Sequence, residues 1–372
     1  MKKVFEKLFP KKFGSFFKKI ENRENLDKEL IYITETFINS DSYRFVSNQW
    51  HLLNIIDYKN ILSSGTKNLG IETFSHYFNF FDYETEHLVN LFKDFNQNEI
   101  VNLKTNFIKK HDNLDFKKSS NYNYLLLLLY SNLKKSNYFK FLGSLKDETY
   151  LDFGNPFIKI DDYNITSDKL ISLFDLESID NFFLIDKIKI IEIGAGSGRL
   201  SECILSTKKI INYTICDIPP SIFINYKRLK KAFPEKKIKL LIDIQTAEEL
   251  NKEISINDIS FIFPHQIEKI NKETYDLAVA IDCFHEMDKK TIKFYFRNIA
   301  SISKKIYFSI WSKTKNWASG GIVKKTERLD FEKGDYPIPS DWKLESKKNL
   351  LFPSNHIGLG YSFKNIDKKF KK

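Results

Sequence analysis

Residues 188–217, IKIIEIGAGSGRLSECILSTKKIINYTICD, decide how this chain is read. The run Ile188 to Ile193 is apolar and β-branched, the pattern of a parallel strand buried on both faces. It ends in Glu192-Ile193-Gly194-Ala195-Gly196-Ser197-Gly198, and a helix is expected from Arg199-Leu200. Three glycines at alternate positions let the backbone turn sharply and let a ligand approach main-chain N–H groups that a Cβ would block. A second strand, Ile210 to Cys216, is expected after that helix and ends on Asp217. An acid there, about 20 residues past the glycines, is where a nucleotide-binding βαβ unit holds ribose hydroxyls.

The glycine spacing separates two kinds of cofactor. A dinucleotide fingerprint needs G-x-G-x-x-G, because its third glycine lets the helix pack close to the strand and aims the helix N-terminus at a pyrophosphate. Here the third glycine comes one residue early, and Arg199 occupies the place that pattern reserves for it. Glu192, two residues before the first glycine, suits a cationic or amine-bearing ligand better than a diphosphate. The pattern E-x-G-x-G-x-G followed by a strand-ending Asp resembles the class I S-adenosylmethionine-dependent methyltransferases. That resemblance implies S-adenosyl-L-methionine as cofactor, with Glu192, Gly194, Gly196, Gly198 and Asp217 around its methionine and ribose. It also implies adenine contacts from His265 and Gln266, which follow the third core strand; the Gln266 amide reads either as a reader of the adenine edge or as a buried loop amide. The fold expected is α/β, a Rossmann-like doubly wound sheet with a helical N-terminal region.

Downstream the alternation of strand and helix continues, as a doubly wound parallel sheet requires. Helices are expected at Ser221–Phe233, Thr246–Glu253 and Lys290–Ala300, and strands at Lys239–Ile244, Ile259–Phe263, Tyr275–Ile281 and Lys305–Ile310. Upstream, Leu30–Phe37, Trp50–Ile61, Glu84–Phe95 and Tyr122–Lys134 carry apolar residues at three- and four-residue spacing and read as helices. The organisation expected is a basic amphipathic segment at 1–27, a helical acceptor or lid region at 28–150, the cofactor domain at 151–345 and a tail at 346–372.

Ligands of open α/β sheets sit outside the carboxyl ends of the strands. Polar groups gather there after almost wholly apolar strands: Pro264-His265-Gln266, and Asp282-Cys283-Phe284-His285-Glu286-Met287. Methyl transfer to a hydroxyl requires the acceptor to lose a proton, and a histidine is suited to take it. His285 reads either as that base, oriented by Glu286 or Asp282, or as a wall of the pocket; His265 is the reserve base. Asp282 also stands beside the cofactor in this reading. Asp282, His285 and Glu286 could hold a divalent ion, but their spacing matches no metal motif, and no metal is assigned.

A narrower resemblance comes from Tyr213-Thr-Ile-Cys-Asp-Ile-Pro219-Pro220, Phe263-Pro-His-Gln266, Phe284-His-Glu-Met287 with Tyr295-Phe296, and Gly154-Asn155-Pro156. Together with the glycine loop these are similar to the bacterial sugar O-methyltransferases. The resemblance covers roughly residues 150–345. It implies O-methylation of a sugar or glycoconjugate in surface polysaccharide biosynthesis. Trp311, Trp317, Tyr336 and Trp342 fit a carbohydrate site or core packing, and Lys313 and Arg199 read either as contacts to an anionic sugar or nucleotide-sugar phosphate or as solvated charge. A second reading keeps the cofactor and changes the acceptor to a lipid or another small molecule. A third is a non-catalytic scaffold of the same fold.

Composition bounds the rest. The chain has 372 residues and a net charge of +11. Its lysines are spread along the sequence and mixed with acids, which argues against a nucleic-acid partner. No apolar stretch is long enough to span a bilayer, and no signal peptide is expected. Cys203, Cys216 and Cys283 lack metal or disulfide spacing, as in a reducing cytoplasm. Residues 1–20, MKKVFEKLFPKKFGSFFKKI, could touch the inner membrane face, lysines to headgroups and phenylalanines to acyl chains, or pack on the protein.

Overall fold

The computed structural model describes residues 27–46, 50, 54, 56–58, 60–61, 126–151, 157–179, 187–208, 210–311, 336–349 and 358–365. Its strands are β1 (Ile158–Ile160), β2 (Tyr163–Ile165), β3 (Ile188–Ile193), β4 (Ile210–Cys216), β5 (Ile238–Leu240), β6 (Ile259–Ile262), β7 (Leu277–Ile281), β8 (Lys305–Trp311), β9 (Trp342–Asn349) and β10 (Gly358–Asn365). Its helices are α1 (Lys28–Asn39), α2 (Asp147–Leu151), α3 (Ser167–Ile179), α4 (Arg199–Thr207), α5 (Ser221–Ala232), α6 (Ala247–Ile256) and α7 (Lys289–Ile302).

The apolar run before the glycines is β3, and it lies at the centre of an eight-stranded sheet ordered β5-β6-β4-β3-β7-β8-β10-β9. Strands β3 to β8 are parallel to their neighbours, while β10 runs antiparallel between β8 and β9. Side chains of β3 alternate: Ile188 and Ile190 join one apolar cluster, Ile191 and Ile193 the other. Helices α3, α4 and α5 cover the first face and α6 and α7 the second. From β3 the chain works outward through β4 to β5 and β6, then returns to lay β7 on the other side. The order therefore reverses between β3 and β7, where a doubly wound sheet opens its crevice.

The N-terminal region shares this core. Leu30, Ile33 and Phe37 of α1 are at most 1% exposed and belong to the α3–α5 cluster, with Phe37 edge-on to Phe263 at 5.3 Å. Phe45 instead stacks on Phe294 of α7, ring centroids 3.9 Å apart. The chain from α1 to Phe45 thus passes from one face of the sheet to the other at its carboxyl edge. Lys227 of α5 pins its start, pairing with Asp27 at 2.8 Å and with Glu29. The described residues of 50–61 and those of 126–134 are helical, as their periodicity requires.

One boundary is corrected. The sequence places a tail at 346–372, yet β9 and β10 carry the sheet on through Asn365. β9 escapes a pattern search because it is an edge strand, mostly exposed and rich in lysine, the usual protection of a sheet edge. Residues 1–20 and the helix expected at 84–95 lie outside the described residues. Among the described residues no helix is long and apolar enough to cross a membrane.

Candidate active site

The glycine loop is shaped by its backbone. Gly194, Gly196 and Gly198 have φ of 69°, 57° and 77°, the left-handed region that L side chains avoid. A Cβ on Gly194 would lie 2.8 Å from Cys283 Cβ, and one on Gly198 2.6 Å from Asn225 Cγ. The loop is held from both strands: Gly194 N–H donates to Cys216 O at 3.0 Å, and Gly196 N–H to Asp217 Oδ2 at 2.9 Å.

Charged side chains brace the loop from behind. Arg228, with its side chain fully buried, donates to Ser197 O at 3.3 Å and to Glu202 at 2.6 Å, and it lies over the Tyr150 ring at 4.2 Å. Arg199 donates to Asp175 at 2.7 Å and to Ser172 at 3.3 Å. That spends Arg199 on the fold, so the expectation that it meets an anionic sugar is corrected; Lys313 lies outside the described residues. Glu192 is also behind the loop, 1% exposed, its Oε2 accepting from Ser201 at 2.5 Å and Tyr213 at 2.7 Å. Burial raises its pKa, and the two hydroxyls oppose the rise.

Asp217 ends β4 at the mouth of the crevice, 7% exposed. Oδ2 accepts from Gly196 and Oδ1 from Ile218 N–H at 2.8 Å, so each oxygen keeps a second lone pair. Burial pushes its carboxyl up to about 7; the two N–H bonds oppose this and the charge of Glu192 adds to it.

The turn after β7 supplies the other wall. Asp282 takes φ 52°, its N–H donates to Ser309 O at 3.2 Å, and its Oδ1 accepts from Ser309 Oγ at 3.0 Å. Burial and the nearby Asp175 push it up to about 6, against the pull of Arg199. Cys283 Sγ donates to Ile193 O at 3.3 Å, tying this turn to β3. His285 and Glu286 follow in a 3₁₀ turn (Phe284–Glu286) anchored by Phe284, which is buried against Phe296 and Phe308. Trp50 donates its indole N–H to Glu286 Oε2 at 3.0 Å. Burial first, then the charge of Asp282, pushes Glu286 up to about 8, and the Trp50 bond opposes them.

The loop after β6 departs from its reading. Gln266 is fully buried: its Oε1 accepts from Phe263 N–H at 2.8 Å, and its Nε2 donates to Leu241 O at 2.7 Å and Ile244 O at 3.1 Å. Its amide is used up on backbone, so the adenine contact expected of it is corrected. His265 Nδ1 is hydrogen-bonded to Ser42 Oγ at 2.6 Å, beside a polar cleft of about 510 Å³ lined by Asp41, Arg44, Asp243 and Lys269 among others. Burial, with the charge of Lys269, lowers its pKa to about 4. A base so weak is poorly matched to neutral pH, and β6 stands three strands from β7, roughly 14 Å at the usual spacing. His265 is therefore corrected as reserve base.

Strand order brings Asp217, the glycine loop and the Asp282–Glu286 turn together, as the ends of the adjacent strands β4, β3 and β7. It does not bring the aromatics. Tyr336 and Trp342 are buried among Phe296 and Phe308 in the α6–α7 cluster, Trp342 on the far edge strand. They are core, not a sugar platform. Trp317 and the side chain of Trp311 lie outside the described residues. Among the described residues, no three His, Cys, Asp or Glu side chains converge as a metal site. Sequence reasoning missed Trp50 and Ser42, because nothing local to either residue announces a partner more than 200 positions away.

The sheet, with its glycine loop at the reversal point and the antiparallel β10 inserted before the edge, is the Rossmann-like fold of the class I methyltransferases. No protein-family model matches the chain, and no curated protein matches it either. Solved structures resemble parts of it. A candidate sarcosine dimethylglycine methyltransferase from Galdieria sulphuraria is 11% identical, with a TM-score of 0.38 over 64% of this chain and 99% of the other. TrmK from M. capricolum, in complex with S-adenosyl-homocysteine, is 13% identical, with a TM-score of 0.31 over 52% and 68%. TrmN from Thermus thermophilus is 10% identical, with a TM-score of 0.32 over 53% and 48%. Function does not follow from likenesses of this size, and it rests on the site.

Proposed function

We propose that this chain is an S-adenosylmethionine-dependent methyltransferase that methylates a hydroxyl of a sugar or glycoconjugate. The observation that carries the cofactor is the 2.9 Å bond from Gly196 N–H to Asp217. It fixes a buried carboxylate, with a lone pair open on each oxygen, beside three glycines in left-handed backbone. This is a cradle that side chains would fill, next to an acceptor pair matched to two ribose hydroxyls. As they ionise, the carboxyls of Asp217, Asp282 and Glu286 give the crevice the sign that suits a cation.

When bound, the cofactor supplies an electrophilic methyl group on a sulfonium. The chain's own residues would do the rest. Asp217 accepts the ribose hydroxyls. The glycines admit the ligand to the backbone, with Glu192 bracing them through Ser201 and Tyr213. On the acceptor side Glu286, held by Trp50, takes the hydroxyl proton, with His285 beside it in the same turn. A carboxyl raised toward neutrality by burial is well matched to that task. The sugar acceptor is supported by the similarity of the strand-end motifs to the sugar O-methyltransferases.

Calorimetric titration with S-adenosylhomocysteine tests the cofactor. Wild type is expected to bind, and Asp217→Ala to bind at least about 100-fold more weakly, the loss of charge-assisted hydrogen bonds. A folded wild type that does not bind would overturn the proposal.

A further inference from the structure

The described residues between 50 and 61 are helical and turn one face toward Glu286, and among the described residues an amide on that face has no partner. Trp50 reaches Glu286 at 3.0 Å, which fixes the direction of the face. Asn54 and Asp57 follow four and seven residues later, the spacing that returns to the same side of an α-helix. Both are buried, Asn54 at 1% and Asp57 at 0% exposure, while Ile56 points away and is 42% exposed. Among the described residues neither amide atom of Asn54 has a hydrogen-bond partner.

Buried amides are nearly always paired, and leaving one unpaired destabilises the fold. Asn54 stands one helical turn, about 6 Å, beyond Trp50. On its other side Tyr58 is hydrogen-bonded to Thr34 of α1, which closes that end of the face. By helical spacing the amide falls between the Trp50–Glu286 bond and the α1 contact. No family motif points to it.

We propose that Asn54 is a specificity-determining residue whose carboxamide hydrogen-bonds the acceptor, and that the acceptor offers a neutral vicinal diol. The proposal rests on the methyltransferase reading above and adds to it the chemistry of the acceptor. A carboxamide presents both a donor and an acceptor, and two neighbouring hydroxyls match it with both. An anionic acceptor would meet Asp57, Asp282 and Glu286, and an apolar one would leave the amide unpaired.

The test uses the full chain saturated with S-adenosylhomocysteine, with methyl glycosides of common hexoses as probes, followed by saturation-transfer NMR. At least one glycoside is expected to bind wild type, and Asn54→Leu to weaken it about 10-fold or more. The same variant is expected to bind S-adenosylhomocysteine like wild type and to melt no lower, because it removes an unpaired amide rather than a bond. Asn54→Ala takes its place if the leucine does not fold. Equal glycoside binding by wild type and variant would overturn the role of Asn54, as would a clearly lower melting temperature. No glycoside binding by the loaded wild type would overturn the diol. Failure of S-adenosylhomocysteine to bind at all would instead sink the methyltransferase reading beneath it.

Discussion

Trp50 and Glu286 are joined by one hydrogen bond of 3.0 Å across 236 positions of sequence. With the Ser42–His265 bond, it means that the N-terminal segment touches two strand ends of the sheet. This wall of the crevice is thus built by two parts of the chain, and each can be perturbed separately.

Replacing Trp50 by Phe keeps a ring and removes the indole donor. That donor favours the ionised form of Glu286, so its loss raises the Glu286 pKa further. Carbon-13 NMR titration of glutamate-labelled protein is expected to show one high-titrating carboxyl moving upward, with S-adenosylhomocysteine affinity unchanged. An unmoved carboxyl would mean that the bond does not tune it.

Stability and ligand affinity should respond to pH in opposite directions. Asp282, Asp217 and Glu286 are raised to about 6, about 7 and about 8, in each case first by burial. Carboxyls raised on folding bind protons more tightly in the native state, so their stabilising effect is full below about pH 4 and is lost as pH rises through these values. The melting temperature of the ligand-free protein is expected to fall between pH 5 and pH 8.5 by way of these groups. Affinity for cationic S-adenosylmethionine is expected to rise over the same interval, as calorimetry at each pH would show. A parallel rise of both would contradict the assignment.

Gly198→Ala should be costly for two separable reasons. The new Cβ meets the Asn225 side chain, with Cγ at 2.6 Å, and φ of 77° strains any L residue by about 1–2 kcal/mol. Adding Asn225→Ala is expected to recover the steric part and leave the strain, which urea denaturation of the two single variants and the double variant would resolve. Strict additivity would show that the clash relaxes at no cost.

Arg228→Met should destabilise the fold strongly. It leaves Glu202 buried without the guanidinium that stands 2.6 Å away, and Asp168 without a cation at 3.8 Å. Breaking one side of a buried pair costs about 3–5 kcal/mol. Chemical denaturation measures the loss, and a change below about 1 kcal/mol would contradict this role for Arg228.

The glycine spacing and the strand-ending Asp217 were legible because each is a local requirement: left-handed backbone needs glycine, and a strand end needs only its own sequence. The apolar runs of β3, β4, β6 and β7 were legible for the same reason, since burial on both faces leaves no polar alternation. β9 was not, because an edge strand of lysines looks like a tail until β10 pairs with it. Gln266 and His265 looked alike as polar residues at one strand end. Only the folded backbone shows that the first is exhausted by three main-chain partners and that the second is half-buried and bonded to Ser42.

The sequence by itself determined the parallel core of the sheet, the loop at its centre and the acid that faces the loop, since all of these follow from periodicity and backbone preference within about thirty residues. The tertiary structure alone decided which polar side chains remain for a ligand. That depends on partners distant in sequence: Ser201 and Tyr213 for Glu192, Asp175 for Arg199, and Trp50 for Glu286. A hydrogen bond is spent or open according to what the fold places within about 3 Å of it, and no local pattern carries that distance.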